Sequence, residues 1–338
     1  MDKQRIKIKM EFKMISDYSL LNSNNFDICL APRVGKLTEV FSRHLDALDD
    51  DTTVTIVDFG TNDGRNIFPF MKIMIEQIQR RLKTCDINIV LNDQPTNDFN
   101  ELAKNAEAFQ REMNDQCLHV MINPGNAYRR CLPRSSIDLG TCTLMVQWLS
   151  TSVKLKNLLL YSPDHMVSDH EKSEITCLAA QDWKSFIQSR SKEMKTGAIM
   201  HVSIPTGWKN FFQICSSTFH QLLERNVISK EELQNTTIPN YPFRSETDIK
   251  APFEDIGEEI DVKLLDVSTR KLRFYENKDI ADCARSWIYH GMVAGLCQTR
   301  NNEEANDICE AFFDDLKVQL LGRKWIDCEM FDVIFQKI

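Results

Sequence analysis

The chain has 338 residues, of which 42% are hydrophobic and 27% are charged, and its formal net charge at pH 7 is −8. This length and apolar content suffice for one large domain, or a domain with a cap, around a full core. The negative charge argues against nucleic acid as a partner, because a nucleic-acid-binding surface requires a basic face. No apolar run approaches the roughly 20 residues of a membrane span, and the N-terminus lacks an apolar signal core, so no membrane partner is expected.

The cysteines and histidines show no ligand pattern. Eleven cysteines are scattered from Cys29 to Cys328 without C-x-x-C pairs, which indicates neither a zinc site nor a disulfide framework. Seven histidines lack H-E-x-x-H or similar spacing, so no metal is expected. Free thiols are typical of a reducing compartment. We therefore expect a soluble, cytoplasmic protein.

The first half of the chain alternates short apolar runs with segments that have apolar residues at helical spacing. A first helix is predicted at 36–48. The predicted strands are 53–59, 87–92, 117–122, 136–143 and 198–204, and the predicted helices between them are 66–83, 98–111 and 169–194. This alternation predicts an α/β fold with a doubly wound, mostly parallel, Rossmann-like sheet.

The second half departs from this alternation. It reads as helices and loops over 207–257, two antiparallel closing strands at 259–267 and 269–276, and two final helices at 279–297 and 303–321. Helical insertions at the carboxyl ends of a sheet usually cover the ligand crevice. We therefore expect a single domain over 1–338, with a core at about 36–206 plus 258–278 and a mainly helical cap at about 1–35, 207–257 and 279–321.

Two of the predicted strands end on an aspartate. The first runs through VTIVDF into a glycine turn and carries Asp58 near its end, and the second, INIVLND, ends on Asp93. Acidic residues at the tips of successive strands are typical of open α/β sheets that bind a ribose-bearing cofactor. The turn contains Gly60 and Gly64 but lacks the G-x-G-x-x-G pattern that close approach to a pyrophosphate requires. This favours a nucleoside without a diphosphate, with S-adenosylmethionine as the leading candidate, over a nicotinamide cofactor.

Several further segments match, in chain order, the motifs of one family. LNDQPTNDFN is close to F-L-N-D-L-P-x-N-D-F-N, NPGNAYRRCLP is similar to P-G-S-F-Y-x-R-L-F-P, and QWLS is similar to H-W-L-S. Residues 182–203 are similar to D-x-x-x-F-L-x-x-R-x-x-E-L-x-x-G-G-x-M, and NYPFRSETDI to Y-x-P-S-x-E-E-V. The chain thus resembles a divergent member of the SABATH family, S-adenosylmethionine-dependent carboxyl methyltransferases that act on small acids such as salicylate, benzoate and jasmonate.

The resemblance implies a cofactor site at the ends of the first two strands. Asp58 and Gly60 would shape the turn, and Asn66 would contact the methionine end of the cofactor. Asp93 would accept hydrogen bonds from both ribose hydroxyls, a role that suits an ionised carboxylate with two acceptor oxygens.

The resemblance also implies an adenine site, at which this chain departs from the family pattern. Gln94 stands where the family prefers leucine, and Asn126 and Ala127 occupy the positions of its Ser-Phe pair. Asn126 can keep a polar contact with the adenine. Ala127 cannot supply an aromatic face for stacking.

The segment DYSLLNSNNF resembles the family's S-Y-x-x-N-S-x-x-Q. The resemblance implies that Tyr18, Asn22 and Ser23 bind the cofactor, and that Tyr18 also contacts the substrate. One additional residue lies between Tyr18 and Asn22, and the family's glutamine, which grips the substrate carboxylate, falls on or near Phe26. That polar clamp is therefore expected to be missing or moved.

Trp148 is the predicted main contact to the acceptor, because an indole N–H only donates and a carboxylate only accepts hydrogen bonds. Gln147, where the family has histidine or methionine, is predicted to be a second donor, and these two residues form the predicted catalytic set. Tyr241 is predicted to line the substrate pocket from the cap. A general base is not required, because a carboxylic acid with a pKa of about 4 is already ionised at neutral pH.

Three functions remain open from the sequence. The favoured one is transfer of a methyl group to the carboxylate of a small or lipophilic acid, which gives a methyl ester. The second is N-methylation of a nitrogen heterocycle on the same fold. The third is binding of the cofactor or another ligand without turnover, which the departures at Gln94, Ala127 and the missing glutamine keep open. The family resemblance alone suggests a homodimer.

Overall fold

The protein, described here from a computed structural model, is built on one sheet with helices on both faces. The structure describes residues 26–163, 166–254, 260–276 and 279–338. The strands are β1 Val54–Phe59, β2 Ile87–Asp93, β3 Leu118–Pro124, β4 Ile137–Thr143, β5 Met194–Thr206, β6 Val262–Phe274 and β7 Ile326–Lys337.

Helices connect these strands or pack over their ends. Two short helical turns at Phe26–Leu30 and Ala31–Arg33 lead into the first of them. The helices are α1 Val34–Leu45, α2 Phe68–Arg81, α3 Phe99–Met113, α4 Asp169–Glu193, α5 Lys209–Glu224, α6 Lys230–Asn235, α7 Glu246–Glu254, α8 Ile280–Leu296 and α9 Asn302–Gln319.

The sheet has seven strands in the order β3-β2-β1-β4-β5-β7-β6. The five strands from β3 to β5 run parallel, and β7 lies antiparallel between β5 and β6. The chain order reverses between β1 and β4, where Val57 pairs with Gly140. A reversal of this kind opens a crevice at the carboxyl ends of the two strands. The predicted doubly wound α/β fold is confirmed.

The burial of each strand follows its place in the sheet. All six residues of β1 are buried, as expected for a central parallel strand with helices on both faces. The edge strand β3 is less covered, and its Met121 is 42% exposed. The five strands predicted in the first half are confirmed with shifted ends, the largest shift being in β5, which begins at Met194.

The sequence-based prediction for the end of the chain was wrong in two respects. Residues predicted as two closing strands form one long strand, β6, whose flanking segments at 255–259 and 277–278 lie outside the described residues. The chain also does not end on helices, because Ile326–Lys337 returns to the sheet as β7 and pairs with both β5 and β6. The predicted core at 36–206 plus 258–278 lacks this strand. The division into a core and a cap stays a prediction.

Helices α5, α8 and α9 pack together. Their shared core contains Phe212, Trp287 and Phe312, and it extends to the end of β6 at Phe274. None of the described helices has both the length and the apolar character needed to cross a bilayer.

The buried carboxylate of Asp138 links helix α1 to the sheet. The carboxylate of Asp138, on β4, is fully buried and accepts hydrogen bonds from the Thr55 backbone N–H at 2.8 Å and from Lys195 Nζ at 2.7 Å. Its other oxygen lies 2.9 Å from His44 Nε2 on α1. A buried carboxylate with this many partners joins α1, β1, β4 and β5.

Replacing Asp138 by alanine should therefore destabilise the fold. We expect Asp138→Ala to lower the free energy of unfolding by about 3–5 kcal/mol, because the Lys195 ammonium, His44 and a backbone N–H lose their acceptor. Urea titration measures the change. Asp86→Ala is the control, since that exposed carboxylate lies 3.8 Å from His119 and should change stability by less than about 0.5 kcal/mol. Equal effects of the two substitutions would contradict the assignment.

Candidate active site

A cavity of about 1070 Å³ lies at the carboxyl ends of β1 to β4, where the winding of the sheet reverses. The structure brings eight of the sequence-predicted site residues to its wall. These are Asp58, Gly60, Asn66, Asp93, Gln94, Asn126, Ala127 and Trp148.

The turn after β1 requires glycine at position 60. Gly60 has φ of +83°, and a Cβ atom there would lie 2.7 Å from Cβ of Met145. Its N–H donates to the Asn92 carbonyl at 2.9 Å, which ties the turn to β2. Any side chain at this position would therefore both strain the backbone and displace the segment after β4.

Asp93 presents a carboxylate with free acceptor capacity. One oxygen accepts from the Asn62 N–H at 2.6 Å and the other from the Gln94 N–H at 2.7 Å. Each carboxylate oxygen can accept more than one hydrogen bond. Burial raises the pKa of Asp93 to about 6, against the opposing effect of the two N–H donors. The group is fixed in position and can still accept hydrogen bonds from two hydroxyls of a ligand.

Asp58 lies deeper in the crevice. It is buried, and the Thr141 hydroxyl donates to it at 2.7 Å. Burial raises the pKa of Asp58 to about 7, because the hydrogen bond from Thr141 offsets only part of the lost hydration. Near neutral pH this carboxyl group is therefore present in both protonation states.

Several buried polar atoms on the cavity wall have no hydrogen-bond partner among the described residues. They include Asn62 Nδ2, Asn92 Oδ1 and Thr143 Oγ1. Buried polar groups are normally paired, and exceptions at a cavity indicate a partner that a ligand supplies. Together with Asp93, these groups offer the donors and acceptors that a nucleoside with an amino-acid tail requires, so the residues fit S-adenosylmethionine.

The segment at 125–132, which we call the Asn126 loop, follows β3 and is held by a buried ion pair on α4. Arg190 and Glu193 have no solvent-exposed side-chain surface. Arg190 Nη1 donates to the Ala127 carbonyl at 2.7 Å, and Glu193 accepts from the N–H groups of Cys131 and Leu132 at 2.6 and 2.8 Å. The two charges therefore pair with each other and with the backbone of the loop.

Sequence reasoning did not assign a role to this pair. The signal was present, since Arg190 and Glu193 are one helical turn apart within the segment that resembles R-x-x-E. The Arg190 guanidinium also lies 3.9 Å above the centre of the Phe59 ring, at the end of β1. The pair thus connects the Asn126 loop to the central strand that carries Asp58.

The segment at 144–150, which we call the Trp148 loop, follows β4. The Trp148 side chain is half-buried, lines the cavity and packs edge-to-face on Trp287 of α8 at 5.8 Å between ring centres. The backbone of the loop is fixed from two sides. The Leu149 N–H donates to the Pro239 carbonyl at 2.8 Å, and the Ser150 N–H donates to Asp182 of α4 at 2.7 Å.

Two predicted substrate residues do not reach the cavity wall. Gln147 is buried, and its Nε2 donates to the Leu144 carbonyl at 2.7 Å, so its amide N–H is directed into its own loop. Tyr241 is buried against Tyr161, with ring centres 5.4 Å apart. Neither side chain lines the cavity. The placement does not support Gln147 as a second donor or Tyr241 as a pocket residue, and these two roles stay predictions.

The predicted contacts of the N-terminal segment, Tyr18, Asn22 and Ser23, lie outside the described residues. Phe26 begins the first described helical turn. Within the described ranges, no group of three or more histidine, cysteine, aspartate or glutamate side chains is placed to hold a metal ion.

The sequence profile of a family described as SAM dependent carboxyl methyltransferase matches residues 32–327. The chain belongs to this family. The match includes every described segment that borders the cavity except the helical turn that contains Leu30.

The chain is also similar in sequence to several named methyltransferases. It is 26% identical to loganic acid O-methyltransferase of Catharanthus roseus over 55% of this chain and 54% of that one. It is 23% identical to farnesoic acid carboxyl-O-methyltransferase of Arabidopsis thaliana over 61% and 64% of the two chains. It is 26% identical to 3,7-dimethylxanthine N-methyltransferase of Camellia sinensis over 64% of each. The matches thus span about half to two thirds of these relatives.

A solved structure of loganic acid methyltransferase with S-adenosylhomocysteine (SAH) has the same fold. It superimposes with a TM-score of 0.73 over 97% of this chain and 98% of that one, at 18% sequence identity. At this identity the similarity supports the arrangement of the sheet and its helices, and the details of the site rest on the geometry of this chain.

The raised pKa of Asp93 predicts a pH dependence of stability. The unfolded carboxyl group titrates near 3.8, and the folded one near 6. The protonated form therefore stabilises the folded protein below about pH 3.8, and that contribution is lost as the pH rises through about 6. When the pH is raised from 4.5 to 7.5, we expect the free energy of unfolding of the wild type to fall by about 1–2 kcal/mol relative to that of Asp93→Asn.

Urea titrations of both proteins at the two pH values measure this difference. The comparison cancels the titrating groups that do not interact with Asp93. Asp86→Asn, at an exposed position, is the control and should show no such pH-dependent difference. If the wild type and Asp93→Asn keep the same stability difference at both pH values, Asp93 titrates normally and the assignment is wrong.

Proposed function

We propose that this protein is a SAM-dependent methyltransferase that transfers a methyl group to the carboxylate of a small acid and gives a methyl ester. The observation that carries the proposal is that Asp93 and Trp148 border one cavity at the switch point of the sheet, in a chain of the carboxyl methyltransferase family. Asp93 suits the ribose of the cofactor, and Trp148 suits the acceptor.

The cofactor would lie along the ends of β1, β2 and β3. Asp93 would accept from the ribose hydroxyls, and Asn126 with Gln94 and Ala127 would border the adenine. Gly60 and Asn66 would face the methionine end. When bound, S-adenosylmethionine supplies a methyl group already activated by its own positive sulfur.

The work of the protein is then alignment and exclusion of water. The Trp148 indole N–H would donate to one carboxylate oxygen and direct the other toward the methyl group. Methyl transfer requires the reacting atoms to be in line and about 3 Å apart. The packing of Trp148 on Trp287 would form an apolar wall behind the acceptor. Neither Asp58 nor Asp93 is needed as a base, because the acid reacts as the carboxylate.

An N-methyltransferase on the same fold is the second candidate. One relative carries that activity in its name, and the described cavity wall lacks the second donor predicted at Gln147. A neutral nitrogen acceptor would require fewer donors than a carboxylate.

We also propose that this protein is cytoplasmic and forms a homodimer. All eleven cysteines are free thiols, which suits a reducing compartment. The dimer rests on the family resemblance alone. A small-molecule acid is the proposed partner.

Cofactor binding is tested by calorimetry with SAH. We expect the purified protein to bind it, and Asp93→Ala to weaken binding about 10- to 100-fold, because the ribose hydroxyls lose a charged acceptor. Glu107→Ala, an exposed carboxylate on α3, is the control and should bind as the wild type does. Absence of SAH binding to the wild type would refute the methyltransferase proposal.

The reaction is tested with a panel of small and lipophilic acids and methyl-labelled cofactor. An ester product is hydrolysed by mild base, whereas an N-methyl product is not. For the best acid we expect Trp148→Phe to lower kcat/KM at least about tenfold, through loss of the indole N–H, with SAH affinity unchanged. Trp325→Phe, at a residue that contacts Arg273 instead of the cavity, is the control. Full activity of Trp148→Phe would exclude the indole as the acceptor donor.

A further inference from the structure

Two loops from different strands border the cavity. The Asn126 loop follows β3 and the Trp148 loop follows β4, and both contribute to the cavity wall. In the proposed function, on which this inference rests, the first loop borders the adenine and the second orients the acceptor. Their relative position therefore decides whether a bound cofactor and a bound acid are aligned.

The side chain of Tyr128 connects the two loops. Its hydroxyl lies 2.5 Å from the Trp148 carbonyl and 3.1 Å from the Val146 carbonyl. A phenol donates one hydrogen, which these two acceptors share. Burial raises the pKa of Tyr128 well above 10, so the group remains a neutral donor throughout the working pH range. The link therefore does not depend on ionisation.

The backbone that carries Tyr128 is fixed on both sides of the residue. The Tyr128 N–H donates to Asn126 Oδ1 at 2.8 Å. Arg190 donates to the carbonyls of Ala127 at 2.7 Å and Arg129 at 3.0 Å. Because the backbone on both sides of Tyr128 is held, we expect a ligand that positions Asn126 to position the Tyr128 side chain as well.

The Tyr128 hydroxyl contacts the backbone on both sides of Gln147 and Trp148, and Trp148 is the predicted contact to the acceptor. The carbonyls of Val146 and Trp148 bracket the Trp148 side chain, so the direction of its Cα–Cβ bond follows their position. Further tethers of this loop run to Ser203 on β5, to Pro239 and Tyr241, and to Asp182 on α4. These tethers attach the loop to other parts of the fold, whereas Tyr128 attaches it to the Asn126 loop.

We propose that Tyr128 is a positioning residue that couples occupancy of the Asn126 loop by the cofactor to the orientation of Trp148. A cofactor that orders the Asn126 loop thereby orders the Trp148 loop and prepares the acceptor site. By linkage, the acceptor stabilises the bound cofactor by the same factor. The enzyme then presents a formed acceptor site mainly when the methyl donor is present.

Amide hydrogen exchange with and without SAH tests the coupling and needs no acceptor. In the wild type we expect SAH to slow exchange in residues 147–152 about three- to tenfold, the effect of one net hydrogen bond. Tyr128→Phe should bind SAH with affinity within about threefold of the wild type, keep the protection of residues 56–66, and lose the SAH-induced protection of residues 147–152. If Tyr128 had a purely structural role, Tyr128→Phe would change hydrogen exchange in the SAH-free protein relative to the wild type. It would not change the protection that SAH adds.

Tyr289→Phe is the matched control, because its hydroxyl bonds to Asn306 on α9 and should leave every SAH-induced difference unchanged. Equal SAH-induced protection of residues 147–152 in the wild type and Tyr128→Phe overturns the coupling. So does a wild type that binds SAH without protecting this segment. If Tyr128→Phe does not fold, Tyr128→Leu is used in its place. A wild type that does not bind SAH refutes the proposed function and the coupling together, an outcome distinct from the other two.

Discussion

Burial of a parallel sheet on both faces is the constraint on which the rest of this structure depends. β1 is buried at every position, and β4 is buried at every position except its half-buried last residue, so these strands have no room for a solvated polar face. Polar chemistry is therefore concentrated at the strand ends. The winding reverses between β1 and β4, which directs the following helices to opposite faces and leaves a crevice there. Asp58 and Asp93 lie at this crevice because no other part of the central strands is open.

Placing carboxylates at that point has an energetic cost. Burial raises the pKa of both groups, which means that the folded protein holds each charge in a less favourable environment than water. Polar atoms such as Asn62 Nδ2 and Thr143 Oγ1 are buried without a described partner. The cores on the two faces of the sheet offset these terms, as is common where a site is prepared for a ligand.

Helix α4 organises the site although few of its residues form the cavity wall. Asp182 holds the Trp148 loop, and the Arg190–Glu193 pair holds the Asn126 loop. Since these charges are buried, their hydrogen bonds must be made, which restricts how far each loop can move. Helix α4 thereby constrains both the Asn126 loop and the Trp148 loop, which we propose border the adenine and the acceptor.

The sequence by itself determined the local elements and the residues at the strand ends. Apolar runs and their spacing predicted a mostly parallel sheet and placed Asp58 and Asp93 at the ends of two of its strands. These features depend on neighbours within a few residues, which periodicity reports. The pairing of Ile326–Lys337 with β5, the inward turn of the Gln147 amide and the reach of the Tyr128 hydroxyl were decided only by the tertiary structure. Each depends on a partner distant in sequence, whose position and register a local pattern does not contain.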